Sequence, residues 1–142
     1  LDWGRGWCFD SYAKAGGLNM EGSSWWEGRM IDIPRHSQII SPSEKYVFVE
    51  EGTKYRGGFG GANLGPWRIR AKEGLFGDPV AIWHNGSSTF SYADGHADSH
   101  KWLEDSTIRA AEMGQGMWSH SKNDRDLKWL LDHYAWKGNS RP

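Results

Sequence analysis

Along residues 79–102, apolar and polar positions fall in short runs separated by two dipeptides, Asn85-Gly86 and Asp94-Gly95. Both dipeptides favour tight type I′ hairpin turns, whose two central residues need positive φ. The pattern predicts a three-stranded antiparallel meander with strands at 79–84, 87–93 and 96–102. Upstream, Tyr46-Val47-Phe48-Val49 is a β-branched and aromatic run of strand length, and it reads as a buried strand. It follows Ser41-Pro42-Ser43-Glu44, whose Ser-x-x-Glu spacing with Pro at the first helical position predicts one helical turn closed by a capping box.

Downstream the period changes. Leu127, Leu130, Leu131 and Tyr134 recur at helical spacing behind Asn123-Asp124-Arg125-Asp126, predicting a C-terminal helix over about 124–135. Two acids in its first turn, and His133 and Lys137 near its end, suit the helix dipole. A shorter segment runs from Asp105-Ser106-Thr107 to Met113, where Gly114-Gln115-Gly116 breaks it. Residues 1–30 read as loop and short pieces, with a short helix expected at Asp10–Ala15. The glycine-rich stretch 52–66 reads as a loop. No linker or repeat divides the chain, so the expectation is a single domain over 1–142 of α+β class, an antiparallel β-meander with short helices.

Composition changes this picture in one respect. Only 37% of the 142 residues are apolar and the mean hydropathy is −0.75, yet ten are Trp. The core must come from a few large rings, each burying roughly 150–250 Å². The net charge of −1, without a basic run, gives no support for nucleic-acid binding. Cys8 is the one cysteine, so it has neither a disulfide partner nor a second thiolate for a metal. No apolar run approaches the roughly 18 residues of a membrane span. The first residue is Leu1 rather than Met, with no signal sequence or lipidation motif, so the expectation is a soluble piece of a longer protein.

The candidate chemistry is sparse. His84 and Asp94 would lie at opposite ends of the middle strand, roughly 20 Å apart at about 3.3 Å per residue. A proton-sharing dyad needs about 3 Å, so the spacing argues for architecture: Asp94 bonds within its own turn, and His84 closes the other hairpin beside Asn85. His96, Asp98 and His100 share one face of a strand and read as a solvated polar face, because imidazoles about 13 Å apart cannot reach one zinc. A calcium site using Asp94, Asp98 and a loop carbonyl is the alternative. Neither Gly-x-Ser-x-Gly nor a phosphate-binding loop occurs. Of the adjacent Glu50 and Glu51, at most one could serve as a glycosidase carboxylate, since neighbours on a strand face opposite ways. The chain is not expected to be an enzyme. Trp25-Trp26, in a Gly/Ser-rich stretch, is the best pair for stacking on sugar rings, and an extracellular carbohydrate-binding module is the alternative function.

The spacing from His84 through nine residues to Asp94-Gly95 resembles the H-X9-DG signature of prepilin-type proteins, a pseudopilin-like group of the type II secretion and type IV pilin superfamily. The likeness extends to Ser41-Pro42-Ser43-Glu44 entering a strand, to Trp83-His84-Asn85-Gly86 through Asp94-Gly95-His96-Ala97, to Lys101-Trp102, and to Asn123-x-x-Asp126-Leu127-x-Trp129-Leu130. It covers roughly residues 36–136. It implies a pilin-like globular head, here lacking the N-terminal membrane-spanning helix, with His84, Asn85, Gly86, Asp94 and Gly95 as its structural motif. It further implies a structural subunit of a secretion pseudopilus or pilus-like filament, periplasmic or at the cell surface. The full-length precursor would be anchored in the inner membrane by that helix, and the partners would be other pilin-like subunits and the secretion machinery. Calcium binding is implied only distantly, since the ligand loop of major pseudopilins has no residue-by-residue counterpart here.

Overall fold

A computed structural model of the chain describes residues 12–15, 33, 35–52, 67, 69–70, 75–76, 78–113 and 124–135. Among them, four strands form one antiparallel sheet in the order β1 (Tyr12–Lys14), β2 (Tyr46–Glu50), β5 (Ser87–Tyr92), β6 (Ala97–Lys101). A separate two-stranded ladder joins β3 (Ile69–Arg70) to β4 (Leu75–Phe76). Helices α1 (Asp105–Met113) and α2 (Arg125–His133) follow. The class is α+β, as the pattern predicts.

Strand β5 shows the expected two-residue period: Ser88, Phe90 and Tyr92 are buried and the residues between them are half-buried. Strand β2 departs from it. Tyr46 and Val49 are both fully buried although three apart, because the register against β5 shifts between Tyr46 and Phe48. The bulge turns Tyr46 back toward the core and leaves Phe48 exposed.

The core is aromatic at its centre. The Tyr46 ring meets Trp67, Phe90, Trp129 and Tyr134 at centroid separations of 5.3–6.3 Å. Its hydroxyl donates to Leu130 O at 3.2 Å, and burial pushes its pKa well above the ordinary value. Leu127, Leu130 and Tyr134 close the core from α2 and the residue after it. The Asp124 carboxylate caps α2 by accepting Leu127 N–H at 2.9 Å. Helix α1 is fixed from the same place: Asp126 accepts Leu103 N–H and Glu104 N–H at 2.9–3.1 Å, and Arg125 Nε donates to Glu104 at 2.7 Å.

Four expectations are corrected. Tyr12–Lys14 is a strand rather than part of a helix, because the free edge of β2 takes it up, with Ala15 N–H bonding Val47 O at 2.9 Å. Residues 79–84 are not the first strand of a meander. Both edges of β5 are occupied, by β2 and β6, so this segment runs beside the end of β2 through Ala81 N–H to Glu50 O at 3.0 Å and a single bridge between Glu51 and Val80. Gly52 permits that approach, since a Cβ there would lie 2.2 Å from Val80 O. The turn at 93–95 is not type I′: only Gly95 has positive φ, at 97°, and Tyr92 O accepts Gly95 N–H at 3.0 Å. That is a type I turn followed by a left-handed glycine, the usual three-residue hairpin loop. Lastly, Pro42–Glu44 forms its turn as a 3-10 helix through backbone bonds alone; Ser41 sits at φ 52° and its side chain caps nothing.

Candidate functional site

Asn85 and Gly86 have the positive φ values their sequence suggests, 54° and 74°, but the turn they make closes through Gly86 N–H to Ile82 O at 3.0 Å. The reversal lifts Trp83 and His84 to the surface at the end of β2, and His84 is clasped there. Its Nε2–H donates to Glu50 Oε1 at 3.1 Å, while Glu50 Oε2 accepts Thr89 N–H at 2.9 Å. The carboxylate continues the β2–β5 ladder where its backbone pairing ends, after Val49 opposite Phe90. Glu50 is 4% exposed in its side chain and His84 59%, so the acid lies beneath the ring. On the far side, Lys101 Nζ donates to Asn85 O, and Trp102 N–H to Gly86 O at 3.0 Å. The turn is therefore tied to β2, β5 and β6.

The other half of the signature is bonded separately. Asp94 Oδ1 accepts His96 Nδ1–H at 2.6 Å and His96 N–H at 3.2 Å, and the His96 ring stacks on Tyr92 at 4.3 Å. The hydrogen bonds from His96 hold the Asp94 carboxyl below its usual range. His84 and Asp94 thus have different partners, Glu50 and His96, at the two ends of β5. Both oxygens of Glu50 are hydrogen-bonded within the fold, Oε1 to His84 and Oε2 to Thr89 N–H.

His96 and Asp98 are exposed, as the expected solvated face requires, but His100 is not. His96 folds back on its turn. Asp98 Oδ1 accepts the Ser99 N–H at 2.7 Å. His100 points inward and stacks on Trp129 at 3.6 Å, and His133 also stacks on that indole, at 4.4 Å. Its Nε2 lies 3.9 Å from the fully buried Asp126. That distance makes an electrostatic contact rather than a hydrogen bond. Burial raises the Asp126 pKa, but the His100 ring and the two amides it accepts outweigh burial, and the net shift is downward. Sequence reasoning gave Asp126 only a helix-dipole role; the signal it carried was an acid on the apolar side of α2, one residue before Leu127.

Asp94 Oδ1 and Asp98 Oδ1 each take local hydrogen bonds, from His96 and from Ser99 N–H respectively. Among the described residues no group of three or more His, Cys, Asp or Glu side chains could hold a metal. Trp25, Trp26 and Cys8 lie outside the described residues. Also among the described residues, no helix is long and apolar enough to cross a membrane. Comparison with protein-family models, with curated proteins and with solved structures finds no match to this chain.

Proposed function

We propose that this chain is the globular head of a pilin-like structural subunit, of the type II secretion pseudopilin or type IV pilus-like class. The observation that supports the reading is the bonding of the signature residues. His84 is spent on Glu50, and Asp94 on His96. Asn85 and Gly86 turn the chain over the end of the sheet, and Gly95 turns it between β5 and β6. A motif used up in this way serves architecture, as a filament subunit requires of its head: a sheet held in one register while its surface meets neighbours. In this reading the work is done at the periplasmic side of the inner membrane or at the cell surface, and the partners are like subunits and the secretion machinery.

The gene upstream of the Leu1 codon tests the reading. A segment of about 20 apolar residues behind a prepilin processing site is the expected result. A different preceding domain would overturn it. In cells carrying the intact gene, antibody against the head should label a membrane fraction or sheared filaments, and Gly95→Val should reduce that labelling.

A further inference from the structure

Asn85-Gly86 is the sole Asn-Gly dipeptide of the chain, and Asn85 is exposed. In such a pair the backbone nitrogen of the glycine can attack the asparagine side chain, since no Cβ on the following residue obstructs the approach. The new bond joins Gly86 N to Asn85 Cγ, and the amide proton passes to solvent base. The Cγ–Nδ2 bond breaks as that nitrogen takes a proton from solvent and leaves as ammonia. Water then opens the imide at either carbonyl, leaving aspartate or isoaspartate at position 85. Ring closure requires the peptide unit between Asn85 and Gly86 to swing toward the side chain with its nitrogen released from other bonds. The fold holds that unit at both poles: Gly86 N–H donates to Ile82 O at 3.0 Å, and Lys101 Nζ donates to Asn85 O. We infer that Asn85 is a deamidation site gated by its own turn, shut while the turn is closed and reactive when it opens.

The residues on either side tighten the gate. Trp102 N–H donates to Gly86 O at 3.0 Å, and His84, one residue before the pair, is bonded to the buried Glu50. Cyclisation from the folded chain therefore waits for the turn to detach from its neighbours. Its rate is that of the open turn multiplied by the fraction of time the turn is open. Once formed, isoaspartate puts an extra methylene into the main chain. That lengthens the path between the tie at Ile82 O and the tie at Trp102 N–H, so the product closes the turn less well and the opening becomes irreversible. The gating follows from the turn alone and is independent of the filament reading.

Incubation of the full chain at mildly alkaline pH, folded in buffer or unfolded in guanidinium chloride, tests the gate. Mass spectrometry of the peptide that carries residue 85 reads the exchange of ammonia for water, and chromatography separates the isoaspartate form. The unfolded chain should deamidate at position 85 about tenfold or more faster than the folded chain. Lys101→Met removes the donor to Asn85 O while keeping an apolar stem, and should speed deamidation of the folded chain severalfold with the far-UV spectrum unchanged. The purified isoaspartate form should melt below the unmodified chain. Equal rates in the folded and unfolded wild type would overturn the inference whether or not the variant folds. So would a folded Lys101→Met chain that deamidates no faster than wild type, or an isoaspartate form that melts with the unmodified chain.

Discussion

Replacing Glu50 by alanine removes the acceptor that joins the His84 turn to the sheet. Thr89 N–H, part-buried, would lose its partner, and an unsatisfied buried amide costs about 1–3 kcal/mol. The His84 bond contributes less, because its ring is 59% exposed; an exposed ion pair is worth about 0–1 kcal/mol. Lost packing of the buried methylenes adds about 1 kcal/mol, and relief from burying a carboxylate offsets part of the total. The net expectation is a loss of about 2–4 kcal/mol, a fall in Tm on the order of 10 °C for a chain of this size. Glu50→Gln should cost less than half as much, since its amide oxygen can still accept Thr89 N–H while its NH2 meets the other tautomer of His84. His84→Ala should cost about 1 kcal/mol or less. Urea denaturation of the single and double variants measures all three values, and hydrogen exchange at Thr89 reports the local bond. Coupling between Glu50→Ala and His84→Ala should be about 0.5–1 kcal/mol. A stable Glu50→Ala protein with a protected Thr89 amide would refute the clasp.

Further expectations concern the turn, the buried acid and the core. At Gly95 nothing lies within 4 Å of a Cβ, so Gly95→Val should destabilise through its φ of 97° alone, by about 1–3 kcal/mol, read by thermal melting. Asp126 titrates below its ordinary value of 3.8 in the folded chain. Its stabilisation is therefore complete above that value and is lost as pH falls through the lower folded value. The stability gap between wild type and Asp126→Asn should be largest near neutral pH and close on acidification below about 4, as measured by denaturant titrations. Phe90→Ala, which empties a fully buried position between Tyr46, Trp102 and Trp129, should cost about 3–5 kcal/mol. Titration with polysaccharides should give no saturable tryptophan quenching; quenching abolished by Trp25→Ala would instead favour a glycan-binding module.

Elements whose signals are local were legible in the sequence. The β5–β6 hairpin follows from alternation and a glycine that accepts positive φ, and α2 from the spacing of Leu127, Leu130 and Leu131 behind the Asp124 cap. What escaped is set by distant parts of the chain. Tyr12–Lys14 becomes a strand because β2 has a free edge, and residues 79–82 leave the meander because β5 has none. Glu50 is adjacent to another acid on a strand and carries no mark of its bond to a histidine 34 positions away. His100 alternates with polar neighbours yet turns inward, because Trp129 from α2 offers it a ring to stack on. Periodicity assigns faces; it does not show which helix will cover one of them.

The most direct test is a high-resolution crystal structure of the chain grown with millimolar calcium. The account predicts His84 Nε2 against Glu50, Asp94 against its neighbour His96, and no ion at either end of β5. An ion bound by Asp94 and Asp98, or contact between the His84 ring and the Asp94 carboxylate, would contradict it.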